Sequence, residues 1–179
     1  WCAVTPQTAP PLSAVGVLFG QALRRARPGV PVGLIQIAVG GAPAEAFVPA
    51  ADSARRAWLD DPAFPAPWCQ ARAKANLAHA LGRPGFEDIH HPFEPGFLFK
   101  HAVEPLTALP VTGVLWYQGE SNATTCGTPD TALDGEKMYQ GIASLIRQWR
   151  LAWSRDDLPF VMIQLPRMNR PWMLFREQQ

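Results

Sequence analysis

Two hydrophobic periods run along this chain and divide it into helices and strands. From 13 to 26, Val15, Leu18, Phe19, Ala22, Leu23 and Ala26 recur at i, i+3, i+4 and i+7, the stripe of an amphipathic helix. Ser13 stands at its start as a cap, and Arg-Pro-Gly at 27–29 ends it. Val32–Val39 (VGLIQIAV) is a continuous apolar, β-branched run closed by Gly40-Gly41, the pattern of a strand covered on both faces. Residues 51–60 and 67–81 read as helices anchored by Trp58, Leu59, Leu77 and Leu81. Gly82 to Gly96 is proline-rich and irregular, and Phe97 to Leu109 is a short helix. Val111–Tyr117 is a second strand, followed by a loop to about Asp134. Helix 135–153 is the clearest element, with Met138, Ile142, Leu145, Ile146, Trp149 and Trp153 on one face. Phe160–Leu165 is a third strand, PRMNRP a loop, and a further helix starts near Trp172.

Strands alternating with helices long enough for right-handed crossovers imply an α/β fold with a parallel, doubly covered sheet. No repeat and no second domain is visible, so residues 1–179 read as a single domain. Ligands of such sheets sit at the carboxyl ends of the strands. The Gly40-Gly41, Gln118–Asn122 and Arg167–Arg170 loops all lie there and can converge on one cleft.

Composition removes several classes of function. Charged residues make up 17% of the 179 and the formal net charge is +1, with no clustered basic face for nucleic acid. Arg24, Arg25 and Arg27 fall at a helix C-terminus, where cations suit the dipole. No apolar run approaches the roughly 20 residues of a membrane span, and no signal peptide is visible. Cys2, Cys69 and Cys126 are odd in number and lack ligand spacing, so neither a zinc site nor a disulfide framework follows. The chain opens on Trp1 and stops at Gln179 inside a helical pattern, as a piece of a longer protein would.

The stretch with the most chemistry is Trp116–Ala123, WYQGESNA, directly after the strand VTGVL. One reading makes Gly119-Glu120-Ser121-Asn122-Ala123 a variant nucleophile elbow with Ser121 as nucleophile. That arrangement needs its acid and its histidine after the serine, yet His79, His90, His91 and His101 all precede Ser121. The next firm helix also starts about a dozen residues later. The other reading makes the turn part of an oxyanion hole, which needs preorganised donors aimed at a developing O⁻. Gln118 and Asn122 supply side-chain amides, and Gly41 supplies a backbone N–H with no side chain to block approach.

WYQGESNA, with GVLWYQGESN as its core, resembles the block III signature of the sialate O-acetylesterase family. These are SGNH-type hydrolases related to the acetyl xylan esterases of carbohydrate esterase family 6. PLSAVGVLFGQAL is similar to the family's helix before its second strand. VPVGLIQIAVGGAPAEAFVP is similar to its block II strand and loop, and PFVMIQLP and WMLFREQQ to the strand and helix beyond block III. Two departures are Gln36 where Asn is common and Val39-Gly40-Gly41-Ala42 in place of Trp-Gly-Gly-Thr. The resemblance implies a three-layer α/β/α flavodoxin-like fold, incomplete at both ends. In that strand order Val111–Tyr117 and Phe160–Leu165 are neighbours, while Val32–Val39 and Val111–Tyr117 do not pair directly. It implies removal of O-acetyl groups from sugars such as sialic acid by a Ser-His-Asp mechanism. The nucleophile would lie before Trp1 and the His-Asp pair after Gln179, so the fragment alone would be inactive. What remains is the oxyanion half of the site: Gly41, Gln118 and Asn122, with Glu120 and Ser121 supporting the turn. No cofactor or metal is implied, and the partner is an O-acetylated carbohydrate. A periplasmic or secreted location follows by analogy. A non-catalytic carbohydrate-binding remnant of the same fold is the alternative.

The remaining candidates have plainer readings. Glu120 is expected in a partly buried cleft, accepting backbone N–H bonds. His90-His91 is a loop pair, and His101 packs or lines the cleft. Trp116, Trp149 and Trp153 belong to the core. Trp68, Trp172 and Phe47 can meet sugar rings if they are not buried, and Arg167 and Arg170 can pair with the carboxylate of an acidic sugar.

Overall fold

A computed structural model describes residues 1–51, 57–86, 88–123, 135–167 and 172–179. Cys126, Arg170, residues 52–56 of the helix expected over 51–60 and the loop beyond Ala123 lie outside the described residues, as does the side chain of Met138. The chain falls into two compact units, Trp1–Ala38 and Val39–Gln179. No described helix is long and apolar enough to cross a membrane.

The first unit holds α1, Ala14–Ala26, which starts where its cap places it: Ser13 Oγ accepts from Gly16 N at 3.3 Å. Its last turn carries Arg24 and Arg25, and Gly29 adopts φ +85° just beyond it. The apolar stripe is not the buried face the periodicity predicts. Only Gly20 is buried in this helix, and Leu18 is 63% exposed. The strand expected at Val32–Val39 is likewise absent: no ladder is assigned there, and Leu34 and Ile35 are exposed. A strand exists only where a neighbour completes its hydrogen bonds. Two local contacts hold this unit. A Cβ on Gly20 would lie 3.2 Å from Leu34 Cδ1, so the absent side chain lets Leu34 seat on the helix. Ser13 N also donates to Gln36 Oε1 at 2.6 Å.

The second unit contains the sheet. β1, Val114–Trp116, runs parallel to β2, Phe160–Met162, in the register Val114–Phe160, Leu115–Val161 and Trp116–Met162. This is the predicted neighbour relation, although each ladder spans three residues rather than the six or seven of the apolar runs. Among the described residues the sheet has two strands. The helices are α2, Pro67–Leu77; α3, Glu120–Ala123; α4, Gly135–Ala152; and α5, Met173–Gln178. Short 3₁₀ turns cover Ala44–Phe47 and Glu104–Leu106, and a π turn covers Phe99–Val103. The helix expected over Phe97–Leu109 is present as an unbroken helical run from 97 to 106 that passes through a π turn into a 3₁₀ turn, with Pro105 in the second position of the 3₁₀ piece, where its missing N–H and ring disfavour continued α-helix. The parallel pair with its helices is an α/β arrangement consistent with an SGNH-type fold.

The α4 stripe behaves as predicted. Leu145 and Trp149 are buried. Trp149 meets Trp116 edge-on at 5.8 Å and 85°, and meets Phe160 at 6.0 Å and 70°. Edge-to-face pairs of this kind add about 1 kcal/mol each beyond area burial. The indole N–H of Trp149 donates to Phe47 O at 2.8 Å, and Phe47 packs edge-on against Trp116 at 5.3 Å. One tryptophan on α4 therefore fixes the Ala44–Phe47 turn beside the carboxyl end of β1. Trp153, just past the helix, stacks on Trp149 at 5.7 Å and donates to Leu109 O at 3.0 Å.

Gly119 makes the exit from β1. Its φ is +152°, and a Cβ there would lie 2.2 Å from Phe175 Cε1 and 2.6 Å from Cζ. No side chain fits without moving a buried aromatic ring. Gly119→Ala should cost about 3 kcal/mol in urea denaturation, combining backbone strain and overpacking. Phe175→Ala in the same chain should recover part of that loss, so the double variant is less destabilised than the sum of the singles. Strict additivity would show that the Gly119–Phe175 contact is not the cause.

Candidate active site

The polar turn after β1 folds back at once. Ala123 N donates to Gly119 O at 2.7 Å, and Glu120–Ala123 forms the single turn α3. A single helical turn therefore follows the strand directly, and the firm helix expected about a dozen residues later begins at Gly135. Glycine at 119 permits the sharp reversal, and one short turn leaves no periodicity to read. The turn buries Ser121 and Asn122, each 6% exposed, and leaves Glu120 exposed. Glu120 thus does not lie in a partly buried cleft. The desolvated carboxylate of this site is Glu45, which no motif in the sequence singles out. The available signal is its position as the sole charged residue in the apolar stretch GGAPAEAFVPA.

Asn122 joins the two loops. Its Nδ2 donates to both carboxylate oxygens of Glu45, at 3.2 and 3.0 Å. Its Oδ1 accepts from Ala44 N at 3.0 Å and from Gln118 Nε2 at 2.9 Å. Gln118 Nε2 also donates to Ala42 O at 3.2 Å. Ser121 Oγ donates to Gly41 O at 2.8 Å, and Cys69 Sγ reaches the same carbonyl at 3.5 Å. Gly41, Gln118, Ser121 and Asn122 are thereby brought together in one network at the carboxyl end of β1. Gly41 holds φ +81°, and a Cβ on it would come within 3.0 Å of Trp68 Cη2 and 3.2 Å of Phe93 Cζ. Glycine is required there both for the conformation and for the close approach of the two rings.

The serine is a poor nucleophile in this setting. Its proton is directed at a peptide carbonyl, a group that cannot act as general base at neutral pH. Its neighbour Cys69 is also quiescent. Burial pushes that thiol up to about 12, the nearby charge of Glu45 adds to the rise, and the Ser121 hydrogen bond opposes it. Such a thiol stays protonated and unreactive. Cys2 is free and exposed.

A cavity of about 260 Å³ adjoins the network. Ala44, Glu45, Gln118 and Asn122 line one part, and Ala63, Pro65, Trp116, Gly141, Ile142, Leu145 and Phe175 the rest. The wall is mainly apolar with a few convergent polar groups, the usual make-up of a small-ligand pocket. Trp68 is 48% exposed beside Gly41 and tilts against Phe93 at 6.2 Å. Phe47 and Trp172 are buried and do not offer a face to a sugar. Arg167 is exposed at the end of the β2 segment.

The histidines stand apart from this network. His91 is buried against Phe93 at 4.6 Å, accepts from Phe93 N at 3.2 Å and meets the Asn76 amide at 3.0 Å. Burial, with Arg72 nearby, holds its pKa below the ordinary value, so it is neutral at physiological pH. His90 Nδ1 contacts the buried carboxylate of Glu94 at 2.7 Å. His101 is exposed, with its ring 4.6 Å from Phe97.

Burial drives the Glu45 carboxyl above its ordinary value of 4.5, against the lowering effect of its hydrogen bonds from Asn122 and its own backbone. A raised carboxyl binds its proton more tightly in the folded state. Its stabilising contribution is complete below the ordinary value and disappears as pH climbs through the folded-state value. In thermal melts run from pH 4.5 to neutrality, the Tm of the native chain should therefore fall relative to that of Glu45→Gln, which cannot titrate. A constant difference between the two across that range would show that Glu45 titrates alike in both states.

Comparison with known proteins bears on the half of the chain that contains this turn. No curated protein and no solved structure matches the chain. A family model described as carbohydrate esterase, sialic acid-specific acetylesterase, matches residues 88–179. That span takes in β1, the WYQGESNA turn, α4, β2 and α5, and it exceeds half the chain. The chain belongs to the sialic acid-specific acetylesterase family of carbohydrate esterases.

Proposed function

We propose that this chain carries the oxyanion-binding half of an O-acetylesterase acting on sugars such as sialic acid. The observation that carries the reading is the convergence of the Gly41 loop and the Gln118–Asn122 turn in one hydrogen-bonded network beside a cavity. A serine supplied by a segment outside these 179 residues attacks the acetyl carbonyl carbon. A His-Asp pair, also supplied from outside, takes the serine proton and delivers it to the departing sugar oxygen. The carbonyl π electrons move onto oxygen, and water later releases acetate from the acetyl-enzyme.

In this scheme the backbone N–H of Gly41 and the side-chain amide of Gln118 meet the oxyanion. Asn122, proposed from the sequence as a third donor, is better suited to a supporting role. Its oxygen already accepts two bonds and its nitrogen contacts a carboxylate. Gln118 keeps its shorter bond to Asn122 and exchanges the longer one, to Ala42 O at 3.2 Å, for the oxyanion. Ser121 ties the turn to Gly41, and Glu120 occupies the exposed side of α3. Trp68 offers its open face to the sugar ring.

One observation favours the alternative, a carbohydrate-binding remnant without catalysis: the amide of Gln118 donates twice within the protein. Mutation separates the two. In the full-length protein, Gln118→Ala should lower kcat by about 10²- to 10³-fold on an O-acetylated sugar, as loss of one oxyanion donor does. A kcat within threefold of the unaltered protein would leave Gln118 as loop structure only. The 179-residue chain treated with a fluorophosphonate serine probe should remain unlabelled at Ser121, whereas labelling there would restore the nucleophile-elbow reading. Trp68→Ala should raise KM about three- to tenfold with kcat retained, as loss of one aromatic face implies. An unchanged KM would remove Trp68 from the sugar site.

A further inference from the structure

We infer that Glu45 is a positioning residue that sets the plane of the Gln118 amide through Asn122. The inference rests on the reading of Gln118 as an oxyanion donor, but its geometric part stands without it. Glu45 lies on the 3₁₀ turn Ala44–Phe47, which Trp149 anchors through Phe47 O. Both Glu45 oxygens face Asn122 Nδ2, at 3.2 and 3.0 Å. An ionised carboxylate only accepts, so in that form Glu45 favours an Asn122 amide with its nitrogen toward Glu45 and its oxygen toward the other side. On that side the oxygen meets Gln118 Nε2 at 2.9 Å and Ala44 N at 3.0 Å. Were the Asn122 amide turned over, an NH₂ group would face Gln118 Nε2 and Ala44 N, placing donor against donor at both contacts. Glu45 thus holds the Asn122 nitrogen on one side while Ala44 N holds its oxygen on the other, and together they aim that oxygen at Gln118, to which Glu45 makes no hydrogen bond itself.

A charged group held this deep is costly unless it is engaged. Its retention in an otherwise apolar loop is explained by this orienting task, because an apolar residue of similar size would pack there without specifying the amide. Glutamine in its place would still offer one accepting oxygen to Asn122, but it could also rotate and present its own NH₂, so the direction would be only partly held. Alanine would leave the Asn122 nitrogen without its partner and the amide held from the Ala44 side alone.

The test uses Glu45→Gln and Glu45→Ala in the full-length protein, with two readouts. The first is the kcat and KM split on an O-acetylated sugar. The second is the set of side-chain amide ¹H–¹⁵N resonances of Asn122 and Gln118. Glu45→Ala should lower kcat about 10- to 100-fold with KM within twofold, and Glu45→Gln should fall between it and the unaltered protein. In both variants the Gln118 side-chain resonances should shift along with those of Asn122, although residue 45 does not contact Gln118. Loss of folding alone would reduce the amount of active protein and leave kcat per folded molecule unchanged. Folded variants with unchanged kcat and unmoved Gln118 resonances would overturn the inference. Should Glu45→Ala fail to fold, Glu45→Gln decides by the same criterion. If the unaltered protein hydrolyses no acetyl ester, the reading of the site as an esterase fails, and the Gln118 resonances still decide whether Glu45 sets that amide.

Discussion

One carboxamide ties the Ala44–Glu45 segment to the turn after β1. Asn122 faces a buried carboxylate with its nitrogen and two donors with its oxygen. Loops whose backbone groups leave water must find partners inside the protein, and a single unsatisfied group costs about 1–3 kcal/mol. Here one side chain satisfies partners on both loops at once, which helps hold the Gly41–Glu45 loop at the end of β1. The remaining contacts across this junction, from Ser121 to Gly41 O and from Gln118 to Ala42 O, repeat the same device with smaller groups.

The apolar framework beneath this junction has a matching logic. Trp149 on α4 touches both strands through Trp116 and Phe160 and hydrogen-bonds the turn that carries Glu45. Core packing and polar network therefore converge on the same short segment, Ala44–Phe47. At the far side, Gly119 lies against Phe175 so closely that no side chain can intervene. Gln179 on the same C-terminal segment donates to Gln118 O at 3.1 Å and accepts from Leu165 N at 2.8 Å. The turn bearing Gln118 is thus held from beneath by an aromatic cluster and from the side by the last helix. In the proposed scheme this support confines the change at Gln118 to one exchanged bond, the one to Ala42 O.

Elements with a strong local signal are legible in the amino-acid pattern. The helix after Ser13, the α4 stripe and the start of a helix near Trp172 follow from period, caps and turn residues, while the pairing of the second and third apolar runs follows from the strand order that the family resemblance implies. The turn WYQGESNA declares itself by composition, and the family match covers it. Burial is less legible. Leu18 and Leu23 have the spacing of a core face and are exposed, because in Trp1–Ala38 the apolar packing against α1 centres on Leu34 at Gly20. Val32–Val39 has the composition of a strand and no ladder, because pairing is a property of two segments and composition a property of one.

The sequence by itself determined the α/β character, the position of the polar turn after a strand, and the glycines at 41 and 119 that the backbone requires. These are local properties, set by what a residue and its near neighbours allow in φ, ψ and periodicity. Only the tertiary structure decided that the important carboxylate is Glu45 and not Glu120. It also decided that Asn122 faces inward to bind that carboxylate and that Trp68 stays open while Phe47 is covered. Those outcomes depend on partners far away along the chain: Asn122 lies 77 residues from Glu45, and Ser121 lies 80 from Gly41. Burial and hydrogen-bond direction arise only when such segments meet, and no local pattern encodes which of two glutamates will lie at the meeting point.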